Sequence, residues 1–255
     1  MLVKSWMTKN IVTIDENETV DAARKLLRDN KFHMLPVMKQ GKLAGVITCR
    51  DIIDEIYPYD LKTEGKKPGN QRPEIFVKDI MTKDFVTVST DFTIEEVADV
   101  LLVNNVFSTP VINREGEMAG IITHSDLARA LICLAGGNKG GIFYGFMLED
   151  RPGSIKEIAD IIRDHGGRLA SILTSIEGVP YGFRKVYIRV YGIDRFRVRK
   201  LNEMLEQNSD VFKISERPEI RREFQLPDTK PTVDSVQYKH KKLDRIISNY
   251  AKEVG

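Results

Sequence analysis

The chain has 255 residues, 42% hydrophobic and 30% charged, with a formal net charge of +2, which is room for one large or two modest domains of ordinary water-soluble composition. No apolar run approaches the ~18–20 residues of a membrane span, and the start MLVKSWMTKN has no signal-peptide core, so a cytoplasmic protein without a membrane partner is expected. Residues 1–215 balance 30 cations against 30 anions, which leaves no basic footprint for nucleic acid. Cys49 and Cys133 have neither disulfide-framework nor metal-ligand spacing.

In chain order, the pattern predicts a strand over Ile11–Ile14, then a helix from about Thr19 with Val20, Ala23, Leu26 and Leu27 on one face. A strand over Met34–Met38 follows, then a polar turn at Lys39–Lys42 and a hairpin partner over Leu43–Thr48. A closing helix runs from Asp51 to about Ile56. The stretch YPYDLKTEGKKPGNQRPE, residues 57–74, holds three Pro and two Gly and reads as an exposed connector.

The same series then recurs. At an offset of 74 residues, Met7-Thr8-Lys9, Val12-Thr13, Thr19, Leu27, Asn30 and Pro36-Val37 match Met81-Thr82-Lys83, Val86-Thr87, Thr93, Leu101, Asn104 and Pro110-Val111; at 75, Gly41, Ala44, Gly45, Ile47, Thr48 and Asp51 match Gly116, Ala119, Gly120, Ile122, Thr123 and Asp126. The extra residue falls in the turn, where insertions are tolerated. The second copy reads as strand Phe85–Val88, a helix opened by the capping box Thr93-Ile-Glu-Glu96, strands Ser108–Ile112 and Met118–Thr123, and helix Asp126–Leu134.

After the glycine-rich run 136–141, read as a hinge, the pattern changes. Strand Ile142–Leu148, helix Ser154–His165, strands Arg168–Thr174 and Arg184–Tyr191, helix Arg195–Gln207 and strand Val211–Ile214 give the order βαββαβ, an α+β ferredoxin-like sandwich. Ser154-Ile-Lys-Glu157 reads as a capping box and Gly166-Gly167 as the helix stop. The polar tail from Glu216 carries a candidate helix over Ser235–Glu253, and both disorder and partner docking stay open.

Thr48 and Asp51, and again Thr123 and Asp126, stand where a strand turns into a helix. A helix N-terminus offers unpaired N–H groups and partial positive charge to an anion, a Thr hydroxyl can donate to phosphate, and a carboxylate one turn on suits a ribose diol. The plain alternative is that Thr and Asp cap their helices. Two matched copies favour the ligand reading. Between them lie Arg50, a bidentate phosphate donor or a solvated surface cation, and His124, a hydrogen-bond donor to phosphate. Catalytic and metal-binding patterns are missing: no His-Glu-x-x-His, Gly-x-Ser-x-Gly or Cys-x-x-Cys occurs, and Gly136–Gly141 lacks the Lys-Ser/Thr and following helix of a phosphate loop.

With the Met-Thr starts, the strand prolines Pro36 and Pro110, and the Gly-h-h-Thr-x-x-Asp endings, residues 1–134 resemble tandem CBS repeats, a Bateman-type module. The resemblance implies clefts for adenine nucleotides (ATP, ADP or AMP, with S-adenosylmethionine or NAD as alternatives), Thr on phosphate, Asp on ribose, and adenine packed by residues such as Val12, Ile14, Val37, Val86, Val88 and Val111. It adds Thr109, before the strand proline, as a polar contact; Leu35 takes that place in the first repeat. Residues 142–215, with Glu149-Asp-Arg-Pro-Gly153 and Gly166-Gly-Arg-Leu169, resemble an ACT domain. That implies an amino-acid site framed by Asp150, Arg151, Pro152, Gly153 and Arg168 across two copies, or a purely dimerising module; Arg168 stands where the family commonly has Asn. For Asp150 the plain reading is a helix-entry cap.

The expected plan is therefore repeat 1 over 1–60, linker 61–74, repeat 2 over 75–135, hinge 136–141, ACT module 142–215 and tail 216–255. It is similar to the acetoin-utilisation-type CBS-ACT proteins of bacteria. The function expected is non-catalytic sensing, with a homodimer through both modules and a regulated enzyme as partner. The alternative is an interaction scaffold with no nucleotide role.

Overall fold

The computed structural model describes residues 1–54, 74–217 and Glu219. Residues 57–73 of the connector, the far end of the helix after Asp51 and the tail from residue 220, with its candidate helix, lie outside the described residues; Glu216 and Arg217, expected in the tail, end the last strand.

The first repeat has β1 (Ile14–Asp15), α1 (Val20–Asn30), β2 (Met34–Lys39), β3 (Lys42–Thr48) and α2, described over residues 49–54. Thr19 caps α1 by accepting from Ala22 N–H at 3.2 Å, which leaves Val20, Ala23 and Leu27 on the buried stripe. β2 and β3 form the expected antiparallel hairpin, and β1 adds in parallel at Val37–Met38. The strand expected over Ile11–Ile14 is shorter and later than the sequence suggests, because residues before Ile14 leave the ladder and line a cleft.

The second repeat follows the same plan, preceded by the short α3 (Val77–Ile80): β4 (Val88–Ser89), α4 (Ile94–Val103), β5 (Ser108–Ile112), β6 (Met118–Thr123) and α5 (His124–Leu134). The Thr93–Glu96 capping box forms, Glu96 accepting from Thr93 N–H at 2.6 Å and Thr93 Oγ1 from Glu96 N–H at 3.2 Å.

The packing units cross the sequence units. Residues 1–8 belong to the core of the second repeat: Val3 and Met7 are buried with Val88, Val97 and Leu101, and Thr8 exchanges backbone hydrogen bonds with Ile121 at 2.8 and 3.0 Å. Residues 75–82 do the same for the first repeat, Val77 packing with Ile14, Leu27 and Ile47 while Thr82 exchanges bonds with Val46 at 3.0 and 2.9 Å. The matched glycines permit this crossing. A Cβ on Gly45 would lie 2.9 Å from Thr82 O, and one on Gly120 2.9 Å from Thr8 O.

The third module is β7 (Gly141–Glu149), α6 (Ser154–Asp164), β8 (Arg168–Ser175), β9 (Phe183–Tyr191), α7 (Arg195–Asn208) and β10 (Asp210–Arg217), an antiparallel sheet in the order β10-β7-β9-β8. Alternation along β7 and β9 sends Tyr144, Phe146, Ile188 and Val190 inward, against Ile158 and Ile162 of α6 and Leu201 and Leu205 of α7. The α6 cap differs from expectation. Gly153, at φ +93°, is the N-cap, and the Ser154 hydroxyl donates to Arg151 O at 3.1 Å. No Ser154–Glu157 box forms, because Glu157 binds Arg151 through two 2.8 Å hydrogen bonds.

The glycine run between modules is packed rather than free. Gly136 and Gly140 are buried, and a Cβ on Gly136 would lie 2.8 Å from Ala170 Cβ. Here Arg189 of β9, buried and without an acidic partner among the described residues, donates from Nε to Ala135 O at 2.9 Å and stacks over Phe143. Burial, and then the neighbouring Arg217 charge, hold its pKa below the usual arginine value. Ala135 is the C-cap of α5, so a cation of the sheet sits at the negative end of that helix dipole.

Candidate functional site

The two Thr-x-x-Asp motifs adopt the same local structure. In the second, Thr123 N–H and hydroxyl donate to Asp126 Oδ2 at 2.8 and 2.7 Å, and Thr123 Oγ1 accepts from Asp126 N–H at 3.2 Å. In the first, Thr48 donates to Asp51 Oδ2 at 2.7 and 2.8 Å and accepts from Asp51 N–H at 3.3 Å. Both are reciprocal capping boxes, so the plain capping role is what this ligand-free geometry displays.

Their second carboxylate oxygens differ. Asp126 is 1% exposed and its Oδ1 is held by Arg129, one turn along the helix. Asp51 is half-buried, and its Oδ1 has a single long contact, 3.4 Å from the Thr82 hydroxyl. An incoming diol would find an acceptor on Asp51 without breaking an ion pair, whereas Asp126 would have to release Arg129.

The surroundings of the second motif come from both repeats. Thr123, His124 and Ser125 face Thr8, Asn10 and Val12 across a cleft of about 340 Å3, closed at its sides by Phe32, His33 and Phe107. That volume lies at the small end of ligand pockets. His124 N–H is taken by Phe107 O at 3.0 Å, and its ring meets the Phe107 edge at 5.3 Å. Ser125 N–H, at the second position of α5, has no hydrogen-bond partner among the described residues, and this is the donor left for an anion. Beside the first motif, the Thr82 hydroxyl lies 3.4 Å from Asp51 Oδ1, and Thr8, its match in the repeat, lines the cleft at the second.

Several expected contacts fall elsewhere. Thr109 is buried and its hydroxyl donates to Val86 O at 2.6 Å, so it ties β5 to the segment before β4 and is not a free polar contact beside Thr123. Arg50 is exposed and lies 3.8 Å from Asp54, an i,i+4 surface pair. Of the apolar adenine candidates, Val12 lines the cleft, while Ile14, Val37, Val88 and Val111 are core. The residues that the repeat alignment could have flagged are Thr8 and Thr82, matched in both copies. Nothing in the spacing marked Ser125 or Arg129.

In the third module, Asp150, Arg151, Pro152 and Gly153 border a shallow depression of about 420 Å3 together with Arg184. Asp150 does not cap α6: its carboxylate pairs with Arg184, and Gly153 has taken the cap position. Arg151 binds Glu149 and Glu157 and is thereby held protonated above the usual arginine range. Arg168 lies far from these. It pairs with Tyr191 at one end of β9, while Glu149 pairs with Phe183 at the other, a separation of roughly 25 Å along the strand. One copy does not bring the framing residues together. Burial, with Glu216 nearby, raises the Tyr144 hydroxyl well above its ordinary pKa, and it donates to Asn202 at 2.7 Å as a structural group.

Among the described residues there is no cluster of His, Cys, Asp and Glu fit for a metal ion, and no helix long and apolar enough to cross a membrane.

The family model of the CBS domain matches residues 3–58 and 77–133. A CBS domain-containing protein of Dictyostelium discoideum is 34% identical over 140 residues, a match that takes in 52% of this chain and 92% of that one. The chain belongs to the CBS-domain family. An uncharacterised Methanocaldococcus jannaschii protein is likewise 34% identical over 155 residues, 52% of this CBS protein and 92% of the relative. The inosine-5'-monophosphate dehydrogenase of Korarchaeum cryptofilum is 28% identical over 124 residues, only 23% of that enzyme. Among solved structures, the CBS domain pair of protein MJ0100, in complex with 5'-methylthioadenosine and S-adenosyl-L-methionine, aligns at 26% identity and TM-score 0.43, covering 51% of this chain and 95% of that one.

Proposed function

We propose that this CBS protein is a non-catalytic regulator that binds adenine nucleotides at its Thr-x-x-Asp motifs. The observation that carries the reading is the cleft at the N-terminus of α5, where the unpartnered Ser125 N–H, Thr123 and His124 face Thr8, Asn10 and Val12. A phosphate at that helix end gains the helix dipole and a free donor, and Val12 offers an apolar wall to a base. The first motif offers the freer ribose acceptor, Asp51. Family membership supplies the ligand class, and the absence of a nucleophile and base constellation in the sequence agrees with regulation rather than catalysis. Calorimetric titration of the full chain with ATP, ADP, AMP, NAD and S-adenosylmethionine tests this; heat from at least one, saturating at two sites or fewer per chain, is expected, and no binding by any of them overturns it.

The βαββαβ module is read as an ACT-type receiver. Support comes from its strand order, its Asp-Arg-Pro-Gly turn and its contact with α5. An amino-acid site framed by Asp150 and Arg168 requires two copies, since one chain holds them at opposite ends of the sheet. The message passes along α5, which has the nucleotide cleft at its first turn and Arg189 at its last, so that a shift of the helix at one end moves the other. Arg189→Gln removes the helix-end cation and its stacking. The expected cost is about 1–2 kcal/mol, read as a melting temperature lower by about 3–6 °C. Nucleotide binding should persist, while the nucleotide-dependent slowing of amide exchange in β8 and β9 expected of the wild type should vanish.

A further inference from the structure

In the first repeat, α1 and α2 border a groove of about 620 Å3. Leu27 and Ile52, both buried, floor it, and Phe32 and Ile53 complete its apolar lining. Helix α1 stops on Lys31 at φ +56°, where Phe32 N–H donates to Leu27 O at 2.9 Å, and that turn sets the half-buried Phe32 beside the groove. Arg24, Arg28 and Lys31, at i, i+4 and i+7 of one helix stripe, carry the charge of the rim. Among the described residues no Asp or Glu lines it. The matching positions of the second repeat hold Ala98, Leu102 and Asn105, so the fold of a repeat does not itself call for these cations.

An apolar space with a border of one sign suits a molecule that has an apolar body and the opposite charge at one end, and the volume is that of a small-molecule pocket. Leu27, Ile52 and Ile53 match an aliphatic chain. The rim matches a carboxylate. Arg24 and Arg28 each use one nitrogen on an exposed neighbour, Asp21 at 2.8 Å and Asp29 at 3.4 Å, which leaves further N–H groups of each guanidinium to donate. Lys31 has no carboxylate partner among the described residues. Lys31, Phe32 and His33 also border the cleft at Thr123, so the groove adjoins that cleft while containing neither Thr-x-x-Asp pair.

We infer that the groove at α1 and α2 binds an amphipathic carboxylate, its aliphatic chain lying on Leu27, Ile52 and Ile53 and its head group held by Arg24 and Arg28. Cys49, a free and exposed thiol lining the same groove, reports on occupancy. The full chain carrying Cys133→Ser has no other thiol, and its alkylation by iodoacetamide is followed without nucleotide. Octanoate at about ten times its dissociation constant should slow the reaction about tenfold. Octan-1-ol, which lacks the charge, and butyrate, which lacks the chain, should slow it far less at the same concentration. Arg24→Gln/Arg28→Gln should weaken octanoate binding about ten- to a hundredfold, and Ile53→Glu, which keeps both arginines but sets a like charge in the path of the chain, should weaken it as well. No slowing by octanoate, equal slowing by octan-1-ol, or an effect that survives both variants overturns the assignment. So does a thiol that becomes shielded as protein concentration rises with no acid added, the result that a second copy seated on the groove gives.

Discussion

Asp51→Ala is expected to weaken adenine-nucleotide binding at the first cleft by about ten- to a hundredfold, the effect of removing a charged hydrogen-bond acceptor worth ~1.5–3 kcal/mol. Asp51 Oδ1 is the carboxylate oxygen that the fold leaves nearly free, with one 3.4 Å neighbour in Thr82. The same change removes the acceptor for Thr48 N–H, and the lost cap should cost ~0.5–2 kcal/mol of stability. Asp51→Asn separates the two effects, since an amide oxygen can still cap the helix but brings no charge to a ribose. Asp126→Ala should show the opposite balance. Its carboxylate is saturated by Thr123 and Arg129, so stability falls while the affinity of the second cleft changes less. Calorimetry and thermal melts on the three variants read both quantities. Equal losses of affinity for Asp51→Ala and Asp126→Ala would remove the distinction between the clefts.

Gly120→Ala is expected to be a strongly disruptive single methyl group in the CBS half of the chain. An added Cβ would lie 2.9 Å from Thr8 O and 2.7 Å from Met7 Sδ. The methionine end can swing away, but the Thr8 carbonyl is fixed by its bond from Ile121 N–H. Overpacking of this kind costs about 1–3 kcal/mol, and relief by displacing residues 1–8 would uncover Val3 and Met7, core residues of the second repeat. Because Thr8 also borders the second cleft, nucleotide affinity there should fall with stability. Gly116→Ala serves as the contrast: no atom lies within 4 Å of its added Cβ, and only the φ of +79° opposes the side chain. Urea denaturation separates them, and a Gly120→Ala protein as stable as Gly116→Ala would mean that the crossing of residues 1–8 is not held at this point.

The capping residues and the element order were legible in the chain itself. Thr93 and Glu96, Thr123 and Asp126, and the βαββαβ series act over three or four residues or through alternation along one element, and such patterns are printed locally in sequence. The Ser154 cap departs from its sequence signature for a related reason. Ser-x-x-Glu is a capping signature, but Glu157 had a stronger partner in Arg151, and a glycine able to take positive φ stood one residue earlier.

The amino-acid sequence by itself determined that two like units exist, that each ends in a strand, a Thr-x-x-Asp turn and a helix, and that a different α+β module follows. Only the tertiary structure decided which segment completes which unit. Val3 and Met7 are chemically almost the same pattern as Val77 and Met81, so either segment satisfies either core as far as local sequence can tell; the choice is made by burial and by backbone bonds between residues dozens of positions apart. Crossing the segments put Thr8 and Asn10 beside Thr123 and Thr82 beside Asp51. The cleft at Thr123 is therefore shared between repeats, because a hydrophobic core is filled by whichever segment fits in space and not by the one nearest in the chain.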